Sequence, residues 1–182
     1  IAKEKGLEPL AEIMIKQELT VGDRRLIAQL YINPELGVDD PEQAIAGARD
    51  IIAEQISDNA DWRKIIREYL WGNALLSSEL KEETPEAAVY RQYHNYSEPV
   101  KKIPPHRVLA INRGEKEGYL KAGLQIESSQ LLLRLQALVL TNPGNIFADD
   151  LKTATEDSLN RLLLPSIERE IRTKLTEAGE EQ

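Results

Sequence analysis

The chain has 182 residues, of which 41% are apolar, 30% charged and 5% aromatic, a composition that excludes a disordered or fibrous protein and suits one or two globular domains. Lys and Arg number 23 against 31 Asp and Glu, and the resulting charge of -8 confines any contact with a polyanion to a local patch. The absence of Cys excludes disulfides, thiolate nucleophiles and Cys-based zinc sites and is consistent with a reducing compartment, so a cytoplasmic location is expected. No segment approaches the roughly 20 apolar residues of a membrane-spanning helix, and no membrane partner is expected. The sequence starts at Ile1 and its single Met is Met14, so it is expected to be a fragment of a larger multidomain protein.

In chain order, Leu7, Leu10, Ile13 and Met14 stand at helical spacing with Pro9 in the first turn, and a short helix is predicted over Asp23 to Tyr31. The clearest start signal is Asp40-Pro41-Glu42-Gln43: Asp40 can cap the free amides, Pro41 fits the first helical position, and Gln43 completes a pattern like a capping box. The helix that follows carries Ile45, Ala48, Ile52 and Ile56 in one stripe and ends at Ser57-Asp58-Asn59. Trp62, Ile65, Ile66, Tyr69 and Leu70 predict a second amphipathic helix stopped by Gly72, giving a helix-turn-helix-like pair over 41–71.

Ala74 to Leu80 is short and weakly periodic and reads as a strand. Thr84-Pro85-Glu86 restarts a helix towards His94, and the prolines of Ser97 to Pro105 make that segment extended. Pro104 or Pro105 opens a further helix, with Gly114 as its natural end. Leu120, Ala122, Leu124 and Ile126 alternate, predicting a half-buried strand whose one candidate partner is Ala74 to Leu80. Helices are predicted over Leu131 to Leu140 and Asp150 to Leu164, separated by Asn142-Pro143-Gly144, and Ile167, Ile171 and Leu175 extend the last stripe beyond a kink at Pro165. The expected fold is mostly α, a helical scaffold with the helix pair and one small two-stranded β element. Its expected units are 1–80 and 81–182, the second holding the β element and the long C-terminal helices.

The residues offer little catalytic chemistry. His94 and His106 lie twelve apart with no carboxylate at ligand spacing, so no metal site is expected. There is no GxSxG elbow, no GxGxxG and no GxxxxGK[ST], which leaves no support for a nucleophile or a phosphate loop, and no cofactor is expected. The acid pairs Asp39-Asp40, Glu82-Glu83, Asp149-Asp150 and Glu180-Glu181 read as helix starts or solvated ends. No catalytic residue is assigned and the chain is expected not to be an enzyme.

One stretch departs from the average. Residues 91–121 hold seven Lys and Arg against three Glu, a net of +4 inside a remainder of -12. Tyr90, Tyr93, Tyr96 and Tyr119 flank these charges, a mixture that a single-stranded nucleic acid could use for phosphate contact and base stacking. The alternative is a solvated face with tyrosines packed at its base. Lys101, Lys102, Arg107, Arg113 and Lys116 are the candidate contacts for nucleic acid or an acidic partner surface. Arg63, Lys64 and Arg67 point away from the Trp62 stripe, where a DNA-reading helix would carry its contacts, but the turn before them has no diagnostic signature and the preceding helix is acidic.

The run from Tyr93-His94-Asn95-Tyr96-Ser97-Glu98-Pro99-Val100-Lys101-Lys102-Ile103-Pro104-Pro105-His106-Arg107 to Asn112-Arg113-Gly114-Glu115-Lys116-Glu117-Gly118 closely resembles the Tex family of bacterial transcription accessory proteins. The resemblance extends to Gly6-Leu7-Glu8-Pro9-Leu10-Ala11, to Ala46-Gly47-Ala48-Arg49-Asp50-Ile51-Ile52-Ala53-Glu54, to Glu156-Asp157-Ser158 and to Pro165-Ser166-Ile167-Glu168-Arg169-Glu170-Ile171, and so covers nearly the whole chain. It implies a relative of a eukaryotic elongation factor and histone chaperone. The family has a helical amino-terminal region, a ribonuclease H-like fold, helix-hairpin-helix motifs and a terminal OB-fold RNA-binding domain, of which this chain resembles only the helical region. It also associates this region with a helix-turn-helix-like unit and carries no established catalytic residues here. The implied role is a non-catalytic scaffold or interaction segment of a parent protein that binds RNA, its partners being the parent's other domains and the transcription machinery. The alternative is an autonomous nucleic-acid-binding module using residues 91–121.

Overall fold

A computed structural model describes residues 1–181 and is mostly helical with one small antiparallel sheet. The elements are α1 (Glu8–Lys16), α2 (Arg24–Ala28), α3 (Pro41–Asp58), α4 (Ala60–Asn73), β1 (Leu75–Leu80), β2 (Asn95–Pro99), α5 (Pro105–Lys116), β3 (Leu120–Gln125), α6 (Ser129–Val139), α7 (Ala148–Asp157) and α8 (Leu164–Glu180). A 3-10 helix, Pro85–Tyr93, precedes β2, and a π-helical turn, Ser158–Leu163, joins α7 to α8. Two compact units result, residues 1–63 with 129–164 and residues 64–128 with 165–182.

Unit one is built around α3. Asp40 caps it by accepting from the Gln43 amide at 2.8 Å, while Gln43 Oε1 accepts from the Asp39 amide, one residue before the position a capping box uses. The buried face of α3, Ala44, Ile45, Ala48, Ile52 and Ile56, packs on α1, α7 and the π turn. Leu7 at the start of α1, Leu10 and Met14 within it, and Leu159 and Leu163 from the π turn are fully enclosed.

An ionic knot ties three helices of this unit. Asp150, its side chain only 4% exposed, accepts from Arg24 Nε at 2.9 Å and Nη2 at 3.1 Å and from Arg49 Nη1 at 3.2 Å. Arg24 also grips Glu42 through two bonds of 2.8 and 3.0 Å. Asp150 does open a helix, but as a buried tie between α2, α3 and α7 rather than as the solvated start its sequence neighbourhood suggests. A second lock is Gln17, the one described non-glycine residue with positive φ (55°). Its amide donates to the Val139 carbonyl at 2.9 Å and accepts from the Asn142 amide at 2.9 Å, fixing the α6–α7 loop to the end of α1.

Unit two centres on the sheet, of order β2-β1-β3. Register runs Leu75↔Pro99 to Glu79↔Asn95 on one side of β1 and Leu75↔Gln125 to Leu80↔Leu120 on the other. The expected β1–β3 pairing forms, but the sheet has three strands, not two: Asn95–Pro99, poor in β-branched and aromatic residues, is a strand because β1 offers it a partner. Ile66 and Leu70 of α4, Tyr90 and Tyr93, Val108 and Ile111 of α5, and Ile167 and Ile171 of α8 are buried around the sheet, with Leu76 of β1 and Leu120 of β3.

Several boundaries differ from expectation. A division at residue 80 would separate β1 from both its partners, and α6 and α7 belong to unit one, so neither unit is one continuous segment. Both helices of the expected 41–71 pair form, joined at Asn59, whose Oδ1 accepts from the Trp62 amide at 3.0 Å. The division between units nevertheless falls inside α4 after Arg63, so the pair is not a single packed unit. Gly72 lies inside α4, which runs to Asn73. Gly114 does not stop α5: it is a packing position, where an added Cβ would lie 2.4 Å from Leu120 Cδ1 and 3.2 Å from Tyr90 Cδ1, and the turn is made by Gly118 at φ 86°. At Pro165, which has no N–H to return, the ladder first widens into the π turn and the helix continues.

Gly114→Ala gains about 1 kcal/mol of helix propensity but overpacks a closed site at a cost of about 1–3 kcal/mol, so urea unfolding should show a net loss of stability. Adding Leu120→Ala should cost less in that background than alone, which a double-mutant cycle reads directly. Asp150→Asn should destabilise by about 2–4 kcal/mol, because two arginines lose a nearly buried carboxylate. Arg24 holds the Glu42 carboxyl below the usual carboxylate range, and Arg161 does the same for Asp157. Stability from these groups is present above their unfolded pKa of about 4 and lost as pH falls through the lowered folded values, so unfolding free energy should drop below about pH 4 and Glu42→Gln should flatten that slope.

Candidate nucleic-acid interface

The five candidate cations occupy two different places on unit two. Lys101 and Lys102 lie in the turn after β2, where Pro99 accepts from the Lys102 and Ile103 amides at 3.0 and 3.1 Å. Val100 and Ile103 are buried on either side, which turns both lysines outward. Among the described residues neither lysine makes an ion pair.

Arg107 sits in the first turn of α5. Its Nη1 donates to the Tyr96 hydroxyl at 2.8 Å and to Glu98 Oε2 at 3.3 Å, and its guanidinium carbon lies 5.7 Å from the Tyr96 ring centroid. The Tyr96 hydroxyl also donates to Glu98. Arg107 is therefore engaged from β2 before any ligand arrives.

Arg113 and Lys116 lie six and nine residues further along α5, about 9 and 13 Å along the axis, and Lys116 is about half a turn around the helix from Arg107. Arg113, 76% exposed, pairs with Glu117 at 3.3 Å, and Glu117 also accepts from the Tyr90 hydroxyl at 2.6 Å. The helix thus brings Lys101, Lys102 and Arg107 to one end and Arg113 and Lys116 to the other.

The tyrosines take the packed arrangement. Tyr90 and Tyr93 are buried; Tyr90 lies 6.0 Å from Tyr119 between ring centroids, and Tyr93 meets Tyr96 edge-on at 5.4 Å. Rings held in this way present no open faces in a row for successive bases. Burial, then the bond to Glu117, pushes the Tyr90 phenol pKa up; burial, then Glu98, does the same for Tyr96. The bond from Tyr90, followed by Arg113, holds the Glu117 carboxyl below its usual range.

Of the other sequence candidates, Arg63 donates to the Ser57 carbonyl at 3.0 Å and Arg67 pairs with Glu170 at 2.8 Å, so both are engaged within their own unit. His94 places Nε2 at 2.9 Å from the Ala87 carbonyl, a structural contact, and His106 is exposed. Among the described residues no group of three or more His, Asp or Glu could hold a metal ion. Sequence reading missed a groove of about 330 Å³ on unit two around Trp71, Ile171 and Lys174, where Trp71 is 40% exposed. The Trp62 stripe hid it, because Trp71 falls outside that stripe, at the last position of the expected helix.

The tyrosine pairs make a spectroscopic test. In an alkaline titration followed near 295 nm, Glu117→Gln should lower the Tyr90 phenol pKa and Glu98→Gln that of Tyr96, since each substitution removes a negative charge that opposes the phenolate.

The Tex central region-like family profile matches residues 23–182. An uncharacterized protein of Bacillus subtilis, YdcI, is 41% identical over 185 residues, covering all of this chain and 26% of its own length. Protein tex of Bordetella pertussis is 39% identical over 129 residues, 70% of this chain and 16% of that protein, and the transcriptional accessory protein Tex of Neisseria gonorrhoeae is 34% identical over a similar span. A transcription elongation factor SPT6-like protein of Arabidopsis thaliana is 24% identical over the whole chain. The chain spans about a quarter or less of the length of these relatives. With a profile match over most of its length and relatives of this identity, the chain belongs to the Tex central region-like family.

Proposed function

We propose that this chain is a non-catalytic scaffold and interaction segment of a Tex-type transcription accessory protein, cytoplasmic and RNA-binding as a whole. The observation that carries this reading is the dispersal of the basic segment. Its candidate cations lie at two ends of α5, two of the five are engaged by Tyr96, Glu98 or Glu117, and the tyrosines beside them are packed. The family match and the relatives named for transcription support the wider role. The parent's other domains and the transcription machinery are its proposed partners.

Lys101, Lys102 and Lys116 are then the candidate residues left for phosphate. Three contacts with a single strand give a salt slope of only about -2, so affinity for RNA should be negligible near 150 mM salt. Fluorescence anisotropy of a labelled single-stranded RNA should show weak binding by this chain at low salt, weakened further by Lys101→Glu with Arg107→Glu, while a full-length relative binds at physiological salt. Tight binding by the chain alone near 150 mM salt, abolished by the same double change, would instead make it an autonomous nucleic-acid module.

A further inference from the structure

The two outer edges of the sheet are not equivalent. The Leu80 amide donates to the His94 carbonyl at 2.9 Å and the Val100 amide to the Ala74 carbonyl at 3.1 Å, so even-numbered residues of β2 face β1. In an antiparallel ladder the residues between them aim N–H and C=O outward. Those residues are Asn95, Ser97 and Pro99. The same parity on the far side, where the Lys81 amide donates to the Tyr119 carbonyl, turns Leu120, Ala122 and Leu124 of β3 outward. There one outward amide is taken: Glu168 Oε1 from α8 accepts from the Leu124 amide at 2.8 Å.

Nothing among the described residues does the same for β2. Asn95 and Ser97 are exposed, and their outward amides and carbonyls have no partner. Pro99, which has no N–H, ends the donor row and limits a guest to a short segment. Directly after it stand Lys101 and Lys102, both exposed and unpaired, with Val100 and Ile103 anchoring the turn that displays them.

We infer that the outer edge of β2 is a docking site for an extended peptide with acidic residues at one end, which adds as a fourth strand beside Asn95 and Ser97 and sets its carboxylates against Lys101 and Lys102. Main-chain bonds to the edge supply attachment without regard to side chains, and the lysines supply orientation and selectivity by charge. The reverse charge is disfavoured there because two ammonium groups already share the end of the strand. The peptide would use two of the lysines left for phosphate above, and its readouts at Asn95 and Ser97 need no RNA.

The test uses the 182-residue chain and a fluorescent synthetic peptide of about ten residues, alternating valine and threonine and ending in two glutamates, a length set by the edge and its flanking turn. Anisotropy should report binding, and replacing the glutamates by lysines should weaken it. Ser97→Pro removes an outward amide that β1 does not use, so the sheet should survive while peptide affinity falls about tenfold; Lys101→Gln with Lys102→Gln should weaken it by a similar factor and remove its salt dependence. In the unaltered chain, amide hydrogen exchange at Asn95 and Ser97 should slow on adding the peptide, a readout that needs no variant. No binding of the glutamate peptide, binding that leaves Asn95 and Ser97 exchange unchanged, or equal affinity for the lysine peptide would overturn the inference.

Discussion

Among the described residues β1 is the one strand paired with a strand on both sides, and its pairing fixes much of unit two. Because its residues alternate between β2 and β3 as hydrogen-bonding partners, the parity of one contact determines which amides of all three strands are free. That parity puts Tyr96 and Glu98 on the same face as Ser78, and Arg107 of α5 closes on both. It also places the Leu124 amide within reach of Glu168, so α8 is tied to the sheet by a backbone bond as well as by its apolar stripe. Further along the same helix, Arg172 reaches Glu115 at 3.0 Å and Asn112 at 2.8 Å, so α5 and α8 share polar contacts around the core that Ile111 and Ile171 occupy.

The charge of -8 is unevenly shared. Unit one holds seven of the eight net negative charges and unit two is close to neutral. The +4 of residues 91–121 is therefore balanced inside its own unit rather than by the acidic one. Where it is balanced matters more than the sum. Arg107 and Arg113 are held by neighbouring carboxylates, and a phosphate that recruits either must displace those bonds. Lysines in a turn carry no such cost. An exposed, unpaired pair such as Lys101 and Lys102 is thus a better guide to a contact surface than the density of basic residues along the chain.

What could be read from the residues alone follows the range of the interaction behind each signal. Asp40 before Pro41, Thr84 before Pro85 and Pro105 announce helix starts because capping is settled within four residues, and the alternation of Leu120, Ala122 and Leu124 announces β3 and its pairing with β1. Asn95–Pro99 shows in the sequence only as an extended stretch from Ser97, since its place in the sheet comes from a partner some twenty residues earlier. Gly114 resembles a helix stop until Leu120 is seen against it. Asp150 and Gln17 carry their meaning in contacts more than 100 residues away, with Arg24 and Asn142, and no local pattern holds that information. For the interface, the five cations were legible as a cluster in sequence, but their separation along α5 and the capture of Arg107 by Tyr96 are tertiary facts.

The family profile begins at residue 23, yet unit one does not. Leu7, Leu10, Ala11 and Met14 are completely enclosed, and α1 packs on α3, the helix at the centre of that unit. Removing α1 would strip cover from the α3 stripe at about 25 cal/mol for each Å² exposed, and would also release the Gln17 lock on the α6–α7 loop. A physical unit thus extends beyond the recognised family boundary. Bacillus subtilis YdcI, whose similarity covers this chain from end to end, is consistent with α1 belonging to the unit, whereas the matches to Bordetella pertussis Protein tex and the Neisseria gonorrhoeae protein cover 70% of it. The side chains that α3 buries, rather than the span over which sequences align, define where this folding unit starts.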